Sequence, residues 1–381
     1  MRRTQFSTSQ AGAAASRLPE LDGLRGCAVV LVLVWHFFGA LIDTGQSELA
    51  RWLYHLLILG RTGVDLFFVL SGFLITQIIL RRTQANVRFL VAFYARRGLR
   101  VLPPYLLLVL LFWSVVLSHQ HNVAFNSATP LWRHLTFTQN FWMSEHTEWG
   151  PGAISVTWSL AIEEHYYIFY PLLMLILRPR YIPFALTAVA VTSAAIRLFL
   201  HLAHPENAFL SYVMTLSRLD GLAVGGMIAW VYSDTGAHDW LIEHKKWLRP
   251  LLYFLLSGVP LLAIGIASDI SAHMFIWGHT FLTVLYGITL VCVLELAACS
   301  NHSVLKSQAL TYIGKISYSL YLFHPMVLAT VFLVADRPEK FNAPVDGALA
   351  VLALMLVVAG CVFLYESVER PLQALGRRYQ Y

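Results

Sequence analysis

The feature that most constrains this chain is its series of long apolar runs. A helix that crosses a bilayer needs about 20 mostly apolar residues. Ten stretches approach that length, near 24–43, 60–80, 102–118, 159–177, 181–201, 219–233, 250–268, 273–298, 311–334 and 345–366. In hydrocarbon every backbone N–H and C=O must find a partner within the protein, which favours helices for runs of this kind. The sequence therefore predicts an all-α, polytopic transmembrane bundle of about ten helices. Composition agrees: charged residues make up 13% of the chain, about half the share in soluble domains. No hydrophilic stretch is long enough to fold alone. The expected organisation is an N-terminal tail over 1–16, one membrane domain over 17–372 and a short tail over 373–381. The first run follows Arg2, Arg3 and Arg17, as a signal peptide would, but no small-residue cleavage pattern follows it.

Lysine and arginine give the expected orientation. With ten spans, one side of the membrane receives the N-terminus, 81–101, 178–180, 234–249, 299–310 and the C-terminus. Counted with Arg25 and Lys315 at span ends, that side holds 20 of the 27 basic residues. Both termini are therefore expected in the cytoplasm. The net charge of +6 follows this asymmetry and forms no dense basic run, so nucleic-acid binding is not expected. Cys27, Cys292, Cys299 and Cys361 show no metal-binding or redox spacing and read as inert thiols. The external loop 119–157 is too short and irregular for a separate domain. The basic segment 82–101 carries Arg82, Arg88, Arg96, Arg97 and Arg100. It reads either as an interfacial helix obeying the orientation rule or as a cytoplasmic anion site. Pro103 and Pro104 are expected to restart the chain as the third span.

Ionisable groups inside a membrane are costly and are functional candidates by default. In the first span Arg25 and His36 lie eleven residues apart. In a regular helix they differ by about 20° around the axis and about 16 Å along it, so they share a face without touching. A ligand entering from the cytoplasm would meet Arg25 with an anionic end and His36 with a reactive one; a snorkelling Arg and a core-satisfied His are the structural alternative. In the fourth span Ser159 and Glu163 share a face, and Tyr166, Tyr167 and Tyr170 continue it. Glu163 and Glu164 either line a cavity or hold Arg133, Arg197 or Arg218. In the ninth span Ser317, Tyr321 and His324 form one stripe ending at Pro325, where a kink is expected. In the second span Ser71 and Gly72 suit close helix approach, and Asp65 near the outer end is a further site candidate.

These segments, in this order, resemble acyltransferase family 3, bacterial membrane acyltransferases that include O-antigen and exopolysaccharide acetylases. The resemblance rests on Arg25 and His36, GVDLFFVLSGFL at 63–74, the basic run at 96–100 and WSLAIEEHYYIFYPL at 158–172. It extends through RLDGLAVGG at 218–226, ISYSLYLFHP at 316–325 and ESVERPL at 366–372. It implies a ten-helix core in a bacterial cytoplasmic membrane that takes cytoplasmic acyl-CoA, most simply acetyl-CoA, and acylates a hydroxyl, usually on a sugar, at the outer face. His36 matches the family's catalytic His, Arg25 its motif Arg, and Ser159 and Glu163 its Ser/Glu motif. Position 165 is His where many members have Gln, and no role is transferred there. Many relatives carry a further soluble esterase-like domain; this chain is expected to lack it, so a second acyl-transfer step would need a partner.

On this reading the CoA phosphates dock on Arg96, Arg97 and Arg100 beside Arg25, and His36 acts as general base. Glu163 orients His36, while Tyr321 or Ser317 donates to the oxyanion. Asp65, Tyr167, Arg218 and His324 are further candidates, and no metal is required. An acyl-histidine is the covalent variant. The rival classes are a transporter and a shuttle that feeds acyl groups to a separate transferase. The acceptor, the acyl chain and the oligomeric state are not encoded legibly.

Overall fold

A computed structural model describes residues 18–81, 87–118, 123–205, 207–265, 274–297 and 304–379. The expected N-terminal tail at 1–16, residues 380–381 of the expected tail 373–381, Arg82, Cys299, residues 266–268 of the seventh span and residues 273 and 298 of the eighth lie outside the described residues. Among those described, the regular structure is entirely helical. The first half contains α1 (Pro19–Val34), α2 (Glu48–Leu57), α3 (Gly63–Leu80), α4 (Val87–Val116), α5 (Leu131–Leu135), α6 (Gln139–His146), α7 (Thr157–Ile176) and α8 (Ile182–Ala203). The second half contains α9 (Ala208–Val213), α10 (Leu219–Val231), α11 (Thr235–His244), α12 (Leu248–Gly265), α13 (His279–Ala297), α14 (Gln308–Val334), α15 (Pro344–Leu364) and α16 (Arg370–Gly376).

Among the described residues, six helical segments are long and apolar enough to cross a membrane. They are Pro19–Gly39, Glu48–Leu80, Val87–Val116, Pro179–Ala203, Gln308–Val334 and Pro344–Gly376. Leu219–Val231 and His279–Glu295 are apolar but shorter. The buried residues of α15 show how such a segment divides its faces. Asp346, Ala350, Ala353, Val357 and Cys361 recur at helical spacing and are buried, while Val351, Leu352, Met355, Leu356 and Phe363 are exposed. That outward apolar face suits lipid and would not suit water.

The centre of the bundle is built on close backbone crossings. The crossing of α1 and α14 places Gly314 against the Asp22 carbonyl, where a Cβ would lie 1.8 Å from the oxygen. The crossing of α3 and α10 places Gly72 against the Leu222 carbonyl and Gly225 against that of Val69, at 1.9 and 2.0 Å from a would-be Cβ. Helices in lipid gain little from apolar burial against one another, so small residues that admit close packing carry the association.

Two local features depart from the sequence expectation. First, α4 runs unbroken through Pro103 and Pro104, so residues 87–101 belong to the third span's own helix and are not a separate interfacial helix. Two prolines deprive α4 of two amide donors. The carbonyls left without a helix donor are those of Leu99 and Arg100, and in the next position Tyr318 of α14 donates to the Val101 carbonyl at 2.9 Å. Second, α1 does not continue as an α-helix to residue 43. At Trp35–Gly39 it widens into one π turn, in which the Ala40 amide donates to the Trp35 carbonyl at 2.7 Å. His36 sits at the start of that turn, after the regular helix that carries Arg25. π turns inside helices often mark functional positions.

The described part of the outer loop is packed. Tyr105 of α4 donates to the His134 carbonyl at 2.8 Å, Gln139 to the Thr157 carbonyl at 2.8 Å, and Asn140 to Thr215 at 2.9 Å. His134 is buried, and desolvation pushes its imidazole down to about 4.

Candidate active site

Two cavities meet inside the bundle. The inner one is small, about 50 Å³, and is lined by groups from five helices. Arg25 comes from α1, Ser71 from α3, Arg97 and Arg100 from α4, Ser159 and Glu163 from α7, and Ser317, Tyr318 and Tyr321 from α14. Three guanidinium groups thus face one lining carboxylate, and the cavity has a cationic wall. The Glu163 carboxylate accepts from Tyr167 at 2.8 Å and from Ser71 at 3.2 Å. Arg97 lies 3.7 Å from Glu163 and 3.8 Å from Glu164, with its guanidinium over the Tyr167 ring at 3.5 Å. Both Glu therefore belong with Arg97, and the expectation that they hold Arg133, Arg197 or Arg218 is overturned. Those three arginines have carboxylates of their own in Glu145, Asp220 and Asp65.

The outer cavity is larger, about 300 Å³, and its lining includes His36, Arg61, Trp149, Trp158 and Tyr212. Val64 and Tyr321 line both cavities and form the wall between them. The Tyr321 hydroxyl is fixed there, 2.6 Å from Ser159 Oγ and 3.2 Å from the Val156 carbonyl.

Backbone contacts orient His36, which lines the outer cavity, and His324 behind it, which lines neither cavity. His36 Nδ1 lies 2.9 Å from the Val32 carbonyl. A carbonyl only accepts, so Nδ1 carries the hydrogen and Nε2 keeps a lone pair. His324 repeats the arrangement. Pro325 has no amide to offer the Tyr321 carbonyl four residues before it, and His324 Nδ1 occupies that acceptor at 2.8 Å. Its Nε2 is buried and has no partner. The two imidazoles meet edge to face with centroids 4.6 Å apart. Pro325 leaves α14 continuous.

The structure separates the remaining sequence candidates. Glu163 does not hold His36; Val32 does. Arg96, expected beside Arg97 and Arg100, donates at 3.2 Å to the carbonyl of Gly376, where it fastens the end of α16 to α4. Asp65 and Arg218 form a buried ion pair at 2.9 Å between α3 and the start of α10, with His279 3.4 Å from the same carboxylate oxygen. Neither residue lines either cavity, and the pair acts as a staple. Ser71 serves the inner cavity by its bond to Glu163, while Gly72 alone makes the close helix approach. His165 bonds Thr215 at 2.8 Å and stacks on Phe141, away from both cavities.

Sequence reasoning missed three groups that shape the outer cavity. Arg61 entered only as a basic residue on the outer side, yet its guanidinium lies 5.8, 6.0 and 5.3 Å from the ring centres of Trp35, Trp149 and Tyr212. Trp149 and Tyr212 stand in short external segments with no periodicity to reveal their direction. Glu369, read from the sequence only as part of the ESVERPL segment, is buried and accepts from Ser319 at 2.5 Å.

Comparison with known proteins fits this arrangement. A family model described as an acyltransferase domain matches residues 18–366. The chain belongs to that acyltransferase family. Among curated proteins it is similar to the O-acetyltransferase OatA of Staphylococcus aureus (strain NCTC 8325 / PS 47), at 24% identity over 370 residues. It is also similar to a protein of Staphylococcus aureus (strain COL) named "Putative O-acetyltransferase", at 25% identity over 376 residues. Both matches cover 94% of this chain and 58% of the relative, so the chain spans little more than half the length of these relatives. No solved structure is matched.

Proposed function

We propose that this protein is a membrane O-acyltransferase of a bacterial cytoplasmic membrane. It moves an acyl group, acetyl in the simplest case, from cytoplasmic acyl-CoA to a hydroxyl of a carbohydrate or glycoconjugate at the outer face. The observation that carries this reading is the shared wall: a cavity with three guanidinium groups and a cavity holding His36 are separated only by Tyr321 and Val64. Family membership and the names of the relatives support the reaction class. The orientation rests on the basic-residue count: ten crossings, both termini cytoplasmic and the arginine-lined cavity toward the cytoplasm.

The inner residues suit the donor's anionic head. Arg97 and Arg100, with Arg25 beside them, present forked donors to phosphate. Arg96 serves this site indirectly by anchoring α16. At about 50 Å³ the inner cavity holds only a few waters, so entry of the thioester arm requires Tyr321 to leave Ser159. The acceptor sits in the outer cavity. His36 Nε2 takes the proton of its hydroxyl as the oxygen attacks the thioester carbonyl. The C–S bond breaks, the acyl group stays on the acceptor oxygen, and the proton passes from His36 to the departing thiolate. General-base catalysis of this kind supplies about 10²–10⁴-fold, and alignment of the two substrates supplies more. The Tyr321 hydroxyl, once free of Ser159, is the oxyanion donor nearest the wall.

The test is transfer of label from acetyl-CoA to glycan by purified protein in nanodiscs. Labelled product that disappears in His36→Ala, with folding intact, supports the reading. Undiminished transfer in that variant would sink it, and substrate uptake without acylation would favour a transporter.

A further inference from the structure

The two side chains that form the wall between the cavities differ in their freedom to move. Tyr321 is held by exchangeable bonds. Its hydroxyl meets Ser159 Oγ at 2.6 Å and the Val156 carbonyl at 3.2 Å, and both bonds break when the ring turns. Val64 has no such release. It stands at the start of α3, and the residues on either side of it are fixed. Gly63 is pressed against α1, where a Cβ would lie 2.3 Å from the Ala28 carbonyl oxygen and 3.0 Å from a Val32 methyl. Asp65 is bound to Arg218 at 2.9 Å. A side chain branched at Cβ also keeps nearly a single rotamer in a helix. One turn further along α3, Phe67 lines the inner cavity and sets its ring against that of Tyr321, with centroids 6.0 Å apart. The opening left when Tyr321 turns is therefore bounded by Val64. Because Val64 lines both cavities, an acyl group that crosses the wall passes beside it.

We infer that Val64 sets the length of the transferred acyl group, admitting acetyl and rejecting longer chains. This rests on the reading that the donor enters through the inner cavity and reacts at the wall. With the thioester carbonyl at Tyr321, the acyl carbons beyond it lie in the gap beside Val64. At about 50 Å³ the inner cavity gives a longer chain little room to fold back. A packed wall that cannot shift resists each added methylene. A simpler view makes Val64 a packing residue, since it belongs to the main apolar cluster. The two views separate on the ratio between donors. Lost packing weakens transfer from every donor alike, whereas a change in the opening alters the preference among them.

The experiment measures kcat/KM for transfer from acetyl-CoA, propionyl-CoA and butyryl-CoA to glycan by purified protein in nanodiscs. Wild-type protein is expected to favour acetyl over propionyl by about 10–200-fold, the range that one methylene supplies in an apolar pocket, and to use butyryl less still. Val64→Ala is expected to bring propionyl within a few-fold of acetyl. Val64→Ile is expected to widen the wild-type ratio, which keeps the test independent of any folding defect in the alanine variant. Leu160→Ala enlarges the inner cavity alone and is expected to keep the wild-type ratio. Equal use of acetyl and propionyl by the wild-type protein overturns the inference, as does the wild-type ratio in either Val64 variant. A Leu160→Ala protein that relaxes the ratio as far as Val64→Ala overturns it too. Transfer from none of the three donors by wild-type protein overturns the acyl-transfer reading itself, and the inference with it.

Discussion

Removing Asp65 tests whether the buried pair with Arg218 is a staple or part of the reaction. The side chains of Arg218 and Asp65 are 1% and 7% exposed, so their charges interact with little solvent screening. Arg218 already has Nε and Nη1 without partners, and the carboxylate is its one ion pair. Asp65→Ala would leave a buried, uncompensated guanidinium, which costs about 3–5 kcal/mol. At 1.4 kcal/mol per tenfold, a loss expressed in the unfolding rate accelerates it by about 10²–10⁴-fold. Replacing both partners by apolar groups of similar size, as in Asp65→Leu with Arg218→Met, removes the uncompensated charge and should recover most of that loss. The assay is thermal inactivation of detergent-solubilised protein, with acetyl transfer measured on what survives. The double variant is expected to turn over within a few-fold of wild type, because neither residue lines a cavity. A single variant within about 1 kcal/mol of wild type, or a double variant no more stable than the single, would refute the staple. A stable double variant without activity would return both residues to the site.

Other consequences follow from particular contacts. Tyr321→Phe deletes the hydroxyl shared by Ser159 and the Val156 carbonyl; kcat should fall about 10²–10³-fold with a stability change of only about 1 kcal/mol, and an unchanged kcat would exclude the oxyanion role. Arg97→Gln leaves Glu163 and Glu164 without their cation and should raise KM for acyl-CoA by more than tenfold; a KM that does not move would place the donor phosphates elsewhere. His36→Gln should lower transfer by about 10²–10⁴-fold while thermal stability holds. His134 is buried neutral with its imidazole down at about 4, so its stabilising effect is complete above the usual histidine value near 6.5 and is lost as pH falls from there toward 4. That window is worth about 3 kcal/mol, and His134→Phe should flatten the stability profile between pH 6.5 and 4; an unchanged profile would show that another group titrates.

The helices were legible because apolar runs of sufficient length have few alternatives in a bilayer. Their interior detail was not. The pair Pro103–Pro104 reads as a break in any single segment, and only Tyr318, 217 residues from Val101, shows how a neighbour enters that turn. Ser159 and Glu163 were placed on a common cavity wall because helical spacing alone puts them there. Arg96 and Arg97 read alike in the sequence, yet adjacent helix positions point about 100° apart, which sends one to α16 and the other to the cavity. The π turn at Trp35–Gly39, which begins one residue before His36, inserts a local register change that no periodicity announced. Arg61 was invisible as a site residue because its neighbours Trp149 and Tyr212 come from segments whose approach only the folded chain reveals.

Pro325 is usually counted as a flaw in a helix, a missing donor to be tolerated. Here the missing donor has a chemical outcome. It leaves the Tyr321 carbonyl free, and His324 Nδ1 bonds it at 2.8 Å as well as the Leu320 carbonyl at 3.1 Å, so that nitrogen bears the hydrogen. With His36 tied to Val32 in the same sense, two imidazoles that meet edge to face have N–H groups both turned to the backbone. The resting site is then rich in lone pairs and poor in acid, prepared to receive a proton and unable to supply one. Backbone carbonyls on two helices thus set which nitrogen of each imidazole is left with its lone pair.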